Sequence, residues 1–401
     1  MTDSRPITIL CLASEFKAVP FLEEAKKLGC AIILVVAQEA AGAAWPRDSI
    51  DHIFPMPILW KQPDITYGVS YLARQHKIDR IVALDDYDVE TAADLREHLR
   101  LPGMGHTVAR YFRDKLAMRS RAEQVGLAVP PFSAIFNYDD LRYYMDNVPP
   151  PWVLKPRFEA GAIGIKKIDN PDLVWRSLDE LGDKQSFYLL EKFVPGNVYH
   201  VDSVVWDNEV VFTQASRYGI PPLAVSHGGG VFSSRTLPLD SAESQTVTSM
   251  NARLMAGFDI QRGVSHTEFI RAEDGQFYFL ETAARVGGAN LDRLVYAGTA
   301  VSLWQEAARV VVADIRGERY EAPHNRENHA AILTCLSRQQ RPNLSGYDEP
   351  EVVWRLNKDY HAGLIVSSPE SERVTELVTV YVERFARDFV AVGSVKGVTR
   401  Q

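Results

Sequence analysis

Cysteine is scarce in this chain. Its 401 residues include three, Cys11, Cys30 and Cys335. They form no CxxC pair, and an odd, sparse set is no disulfide framework, so a reducing compartment is expected. Long apolar runs are missing as well. Near the start the longest is Ala31 to Ala37, far short of the roughly 20 residues of a membrane span. Met1 to Pro6 are polar and carry no signal-peptide pattern. The expected location is cytoplasmic. Also absent are internal repeats, low-complexity segments and blocks of like charge long enough for an interaction tail. The formal net charge is −8, from 52 acidic and 44 basic residues. That balance argues against bulk binding to nucleic acid or to an anionic membrane.

What remains is an ordinary globular composition, 46% hydrophobic and 24% charged. The chain is too long for one ordinary core, so two or three domains are expected. Ile7 to Leu12 reads as a strand, Phe16 to Leu28 as an amphipathic helix closed by Gly29, and Ala31 to Ala37 as a second strand. This is a βαβ unit, because buried parallel strands read as continuous apolar runs. Ile81 to Leu84 is a further strand, ending in Asp85-Asp86, with a helix over Val89 to Leu99. A helix-rich stretch, Thr107 to Gly126, follows. Next come strands at Trp152 to Lys155 and Ile165 to Ile168, a helix over Pro171 to Leu181, and strands at Tyr199 to Trp206 and Val210 to Ser216 joined at Asp207-Asn208. Gly228-Gly229-Gly230 reads as a flexible loop, Ala242 to Gly257 and Leu303 to Val312 as helices, and the part from about Asn328 as a small α/β unit.

Three constellations carry chemistry. In the first, Gly263 to Ile270 and Gln276 to Glu281 read as a hairpin that places Glu268 and Glu281 side by side on one face. Two converging carboxylates are hard oxygen ligands suited to magnesium. Arg285 follows four residues on, with a fork of donors suited to a carboxylate or acyl phosphate, and Gly287-Gly288 lets backbone N–H groups approach an anion. The bland alternative is an ordinary hairpin with solvated carboxylates. In the second, Lys155 ends a strand beside a loop holding Gly161 and Gly164, where a lysine and backbone amides can close over phosphate. Lys115 is the companion phosphate lysine; its alternative is a solvated helix lysine. In the third, Glu191-Lys192-Phe193-Val194 can offer backbone groups to an adenine edge, with Glu191 taking an adenine or ribose donor; a plain amphipathic strand is the alternative.

In this order the three resemble the ATP-grasp superfamily, over nearly the whole chain, in the branch that includes biotin carboxylase and the L-amino-acid ligases. Arg113-Asp114-Lys115, with Gly126-Leu127-Ala128-Val129-Pro130, resembles the entry to the ATP-grasp domain. Val153-Leu154-Lys155-Pro156 resembles its second lysine segment, Glu191 to Val194 its adenine hinge, Glu268 and Glu281 its magnesium carboxylates, and Arg285 its reaction-centre arginine. The chain departs from the pattern at Ala283, where many relatives carry a metal-ligand asparagine; Asn290 is a candidate substitute. The phosphate loop is also poor in glycine and carries Glu159.

The resemblance implies an α/β fold with an α+β lid. A preATP-grasp open α/β domain covers 1–105, a central ATP-grasp domain 106–327 with a mobile lid at about 130–193, and a C-terminal α/β subdomain 328–401. It implies an ATP-dependent carboxylate–amine ligase that forms an amide through an acyl phosphate, releasing ADP and phosphate. Biotin carboxylase-like carboxylation, or an ATP-binding regulatory protein with degenerate catalysis, is the alternative. Arg285 is the expected catalytic residue. ATP is expected at Lys115, Lys155, Gly161, Gly164, Glu191, Lys192, Phe193, Val194 and Asp202, and Mg2+, with Mn2+ as the alternative ion, at Glu268 and Glu281. His227, His266, Gly287 and Gly288 are the candidate substrate contacts. His266 otherwise reads as a satisfied core histidine and His227 as part of a surface loop. Asp85, Asp86 and Glu90 either hold a substrate amine or cap the next helix. The expected partners are a small carboxylate and a small amine, and homodimers are common in the family.

Overall fold

The structure, a computed structural model, describes residues 5–324 and 326–390, apart from the side chains of Ser226 and His227. Four parallel strands open the chain: β1 (Thr8–Ala13), β2 (Ala31–Ala37), β3 (His52–Met56) and β4 (Arg80–Ala83), in the order β3-β2-β1-β4. Alternation of side chains explains why β1 and β2 are apolar throughout. Leu10, Leu12, Ile33 and Val35 point one way, against Ile65, Val69, Ala92 and Leu95. Ile9, Cys11, Ile32 and Leu34 point the other way, into a core that also holds Phe21 and Leu22 and takes Leu303, Trp304, Val310 and Val312 from far along the chain. The helix Leu303–Arg316 therefore packs on the N-terminal sheet, and Arg309 Nε pairs with Glu24 at 2.8 Å. The first helix is shorter than its apolar pattern, Val19–Lys27, because Ala18 adopts a positive φ and Pro20 sets the first turn.

A second sheet is antiparallel. It holds β5 (Phe132–Ala134), β6 (Trp152–Pro156), β7 (Lys166–Ile168) and β8 (Tyr188–Lys192) in the order β5-β8-β6-β7. Helices Tyr138–Asn147 and Pro171–Leu181, N-capped by Asn137 and Asn170, cover one face and share a core with Trp152, Leu154 and Leu190.

The third sheet has eight strands: β9 (Gly196–Trp206), β10 (Glu209–Tyr218), β11 (Phe232–Thr236), β12 (Arg262–Ala272), β13 (Phe277–Ala283), β14 (His329–Leu336), β15 (Val352–Arg355) and β16 (His361–Ser368). Their order is β13-β12-β9-β10-β11-β14-β16-β15. The C-terminal segment thus has its own core, where helix Ser371–Asp388 packs Leu377, Tyr381 and Phe385 on Leu364 and Val366, but not its own sheet. β14 pairs with β11 and continues the central sheet. The glycine loop at 228–230 is partly helical, since a helix spans Pro222–Gly228. Among the described residues no helix is long and apolar enough to cross a membrane.

Candidate active site

The floor of the site is the β12–β13 ladder. Glu268 pairs directly with Glu281, and a bulge follows between Glu268 and Phe269. Directly opposed residues share a face, so both carboxylates face one cavity of about 400 Å³. Two like charges side by side need compensation, and each finds it differently. Lys115 Nζ lies 3.1 Å from Glu281. Burial alone would raise the Glu281 carboxyl; the Lys115 charge and hydrogen bond outweigh it and hold it at about 2. Glu268 Oε1 accepts the Tyr218 hydroxyl at 2.7 Å and lies 3.7 Å from His266 Nε2.

Behind this floor runs a buried polar row set by strand register, which places His266 beside Asp202 and Glu268 beside His200. Asp202 accepts from His266 Nδ1 at 2.9 Å and His200 Nδ1 at 2.8 Å, and His200 Nε2 meets Ser234 Oγ at 2.7 Å. Burial alone would lower the His266 imidazole; the Asp202 charge and hydrogen bond win and raise it to about 10. The loop from Arg285 crosses this row at Gly287, where a Cβ would meet Asp202 Oδ1 and His266 Nδ1 at 2.9 Å each. Glycine is required there for close approach.

The roof comes from the antiparallel sheet. Lys155 on β6 and Glu191 on β8 meet at 2.6 Å, and Arg119 Nε reaches the other Glu191 oxygen at 2.5 Å. Arg119 and Lys115 stand four residues apart on the helix Lys115–Gln124, so they share a face. All three charges are buried. Burial pushes the Lys155 ammonium down and Glu191 opposes it, leaving it at about 8. Phe193 and Val194, between β8 and β9, line the cavity. Gly161 lines it too. Gly164 does not, but its φ of +72° lets the loop return into β7.

Roof, floor and N-terminal sheet meet at three residues. Arg113 forms an ion pair with Asp86 and donates to Phe158 O at 2.6 Å. Asp114 caps the helix after it through Leu116 N and receives Arg157 Nε at 2.8 Å. This cap is why Thr107 to Gly126 is two helices rather than one: His106–Arg110 and Lys115–Gln124. Lys115 Nζ, besides Glu281, donates to Glu159 O. Asp86 lies 3.3 Å from Arg285 Nε.

Several expectations change. Asp202, expected to bind ATP, is fully buried behind the floor with both oxygens held by histidines. The Glu191 side chain, expected to accept from adenine or ribose, is taken by Lys155 and Arg119. Lys192 reaches the cavity wall, but its Nζ bonds the carbonyls of Pro149 and Pro150. Gly287 packs on His266 and Asp202 rather than offering itself to an anion, whereas Gly288 lines the cavity. Asn290 starts the helix Leu291–Thr299 in the left-handed region and does not line the cavity, while Ala283 does. Asp85 caps a short turn through Tyr87 N and pairs with Lys17. The His227 side chain lies outside the described ones. Sequence reading missed Arg119 and Tyr218. The i, i+4 spacing from Lys115 signals Arg119; no local pattern signals Tyr218, which reaches Glu268 from another strand.

Residues 22–103 match the ATP-grasp N-terminal domain family. The chain is 24% identical over 306 residues to the L-arginine-specific L-amino acid ligase of Bacillus subtilis, covering 73% of this chain and 72% of that protein. It is 26% identical over 259 residues to D-alanine–D-alanine ligase B of Pseudomonas syringae pv. tomato, covering 58% of this chain and 80% of that one. The fold superimposes on an L-amino acid ligase from Bacillus licheniformis with a TM-score of 0.77 at 17% identity, across 97% of this chain and 99% of the other. The chain thus carries an N-terminal segment that matches the ATP-grasp N-terminal domain family, is similar in sequence to amino-acid ligases, and shares its whole fold with an L-amino acid ligase.

Proposed function

We propose that this chain activates a small carboxylic acid with ATP and joins it to an amine, and that the cavity between roof and floor is where it does so. One observation carries the reading: the direct pairing of Glu268 with Glu281 on a wall that also presents Lys115, Lys155 and Arg285. The Phe193 N–H is held by Pro151 O, so adenine would meet the Phe193 carbonyl and Val194 backbone, and the phosphates would meet Lys155, Lys115 and the loop at Gly161. The donor set fits a hard divalent cation. Glu281 is ionised at neutral pH, and Glu268, with Oε1 held by Tyr218, has Oε2 for a ligand. Glu268 and Glu281 would hold the ion, which supplies charge neutralisation across the ATP phosphates.

The chain's own residues do the rest. A carboxylate oxygen of the acid attacks the terminal phosphorus and ADP leaves, giving an acyl phosphate. The amine nitrogen then attacks the acyl carbon, phosphate leaves, and the nitrogen sheds a proton to form the amide. Arg285 orients the carboxylate and stabilises charge on the reacting oxygens. Lys155 and Lys115 hold phosphate oxygens, and Asp86 fixes the Arg285 guanidinium. Tyr218, by its hydrogen bond, and His266, 3.7 Å away, hold Glu268 in the position from which it would bind a cation. The roof excludes water, which would hydrolyse the acyl phosphate.

The test is phosphate release from ATP and magnesium across a panel of acids paired with amines, with Glu281→Ala beside the wild type. Release that needs both an acid and an amine, and disappears in Glu281→Ala, is expected. ATP binding with no turnover on a broad panel would sink the ligase reading.

A further inference from the structure

Around the cavity, charge is distributed unevenly. The ionisable groups come from the helix Lys115–Gln124, the β12–β13 floor, the roof, and Asp86, Arg113 and Arg285. Among the described side chains the remaining wall carries no charged group. It runs from Tyr218, at the end of β10, through Pro221, Pro222 and Leu223 to Phe232 at the start of β11, and is joined by Leu291. Its aromatic ends pack on each other. Tyr218 and Phe232 have ring centroids 5.5 Å apart, and Tyr218, Phe232 and Leu291 share one apolar cluster.

This wall begins at the reaction centre. Tyr218 touches Glu268 at 2.7 Å, and Leu291 lies against Gly287 on the loop that carries Arg285. The group next to it is therefore the acid being activated. Resting on the ligase reading above, we infer that this acid carries an apolar side chain, seated against Tyr218, Pro221, Pro222, Leu223, Phe232 and Leu291.

A cationic side chain is excluded because the carboxylates of the cavity are committed. Asp86 is held by Arg113 and Arg285, Glu191 by Lys155 and Arg119, and Glu281 by Lys115. Glu268 is held by Tyr218 at Oε1, and its Oε2 is taken by the divalent cation in the ligase reading. Glu159 is exposed on the roof loop, where solvent weakens any pairing. An anionic side chain would meet the wall's apolar surface, where no described side chain offers a free donor to replace its water. Burying methylenes there, by contrast, favours the acid with the larger apolar group.

The experiment fixes one amine and varies the acid through glycine, alanine, valine, leucine and phenylalanine, and through aspartate, glutamate, lysine and arginine, reading kcat/KM from phosphate release. Along the apolar series kcat/KM should rise roughly fourfold per buried methylene, with the charged acids at the bottom. In Phe232→Ala the ratio of kcat/KM for leucine to that for alanine should fall about tenfold or more, with Phe232→Leu in between, while KM for ATP does not follow. Arginine, lysine or glutamate as the best acid would overturn the inference. So would a Phe232→Ala effect that is equal for all acids or that appears in KM for ATP. Should Phe232→Ala fail to fold, the side-chain series on the wild type and Phe232→Leu decide alone. Absence of release with every acid would instead count against the ligase reading itself.

Discussion

Replacing Glu191 by glutamine isolates the charge at the centre of the roof while keeping its shape. In the wild type one carboxylate serves two cations, Lys155 at 2.6 Å and Arg119 at 2.5 Å. Arg119 has no exposed surface, and Lys155 is 7% exposed. The amide keeps hydrogen-bonding capacity but leaves the arginine charge uncompensated in a buried site, which costs about 3–5 kcal/mol. Lys155 sheds its proton more easily than Arg119, because burial has already brought it down to about 8 with Glu191 in place. Without Glu191 it falls further, so less of the ammonium proposed above to hold phosphate is present at neutral pH. ATP binding must then take up a proton, and affinity falls as pH rises through the Lys155 value. In the wild type that fall begins near pH 8, and in Glu191→Gln it begins below it. Urea unfolding followed by tryptophan fluorescence reads the stability loss, and calorimetric ATP titration between pH 6 and 9.5, in buffers of differing ionisation enthalpy, reads the proton. A Glu191→Gln protein with the wild-type urea midpoint and an unmoved pH profile would refute the coupling of the three charges.

Two further tests address the floor and the reaction centre. Tyr218→Phe removes the hydroxyl on Glu268 Oε1 without changing ring packing. It should weaken Mn2+ binding, measured by electron paramagnetic resonance with ADP present, about tenfold or more, in line with the loss of one hydrogen bond to a charged group, about 1.5–3 kcal/mol; unchanged Mn2+ affinity would remove Tyr218 from that role. Arg285→Lys keeps the charge but loses the fork that faces Asp86 and the cavity. It should lower kcat/KM for the acid about tenfold or more, while KM for ATP stays near the wild type. An equal loss in both would place Arg285 on the nucleotide instead.

Local pattern carried the elements whose burial is strong and regular. β1 and β2 announce themselves because both faces are covered, and Glu268 and Glu281 fall opposite each other because a hairpin with a short turn allows little choice of register. β5 and β7, at three residues each, have too little sequence to show a period. The placement of β14 beside β11 was hidden for another reason, since strand order is set by packing at long separation. The same limit applies to side chains. That Asp202 faces two histidines and Glu191 two cations depends on what neighbouring strands and a distant helix bring alongside. A strand segment read alone shows a carboxylate on a face, and the occupant of that face comes from elsewhere in the chain.

Arg113, Asp114 and Lys115 touch Asp86 on the N-terminal side, residues 157 to 159 in the roof and Glu281 on the floor. This limits how the chain can be recombined with its relatives. A crossover placed just before residue 106 looks harmless by chain position, yet it separates Arg113 from the Asp86 it pairs with. One placed near residue 130 separates Asp114 from Arg157. Hybrids built from this protein should therefore exchange these contacts as a set, with Asp86, the tripeptide, the roof loop and Glu281 taken from the same parent, even though they are scattered across some two hundred positions of sequence.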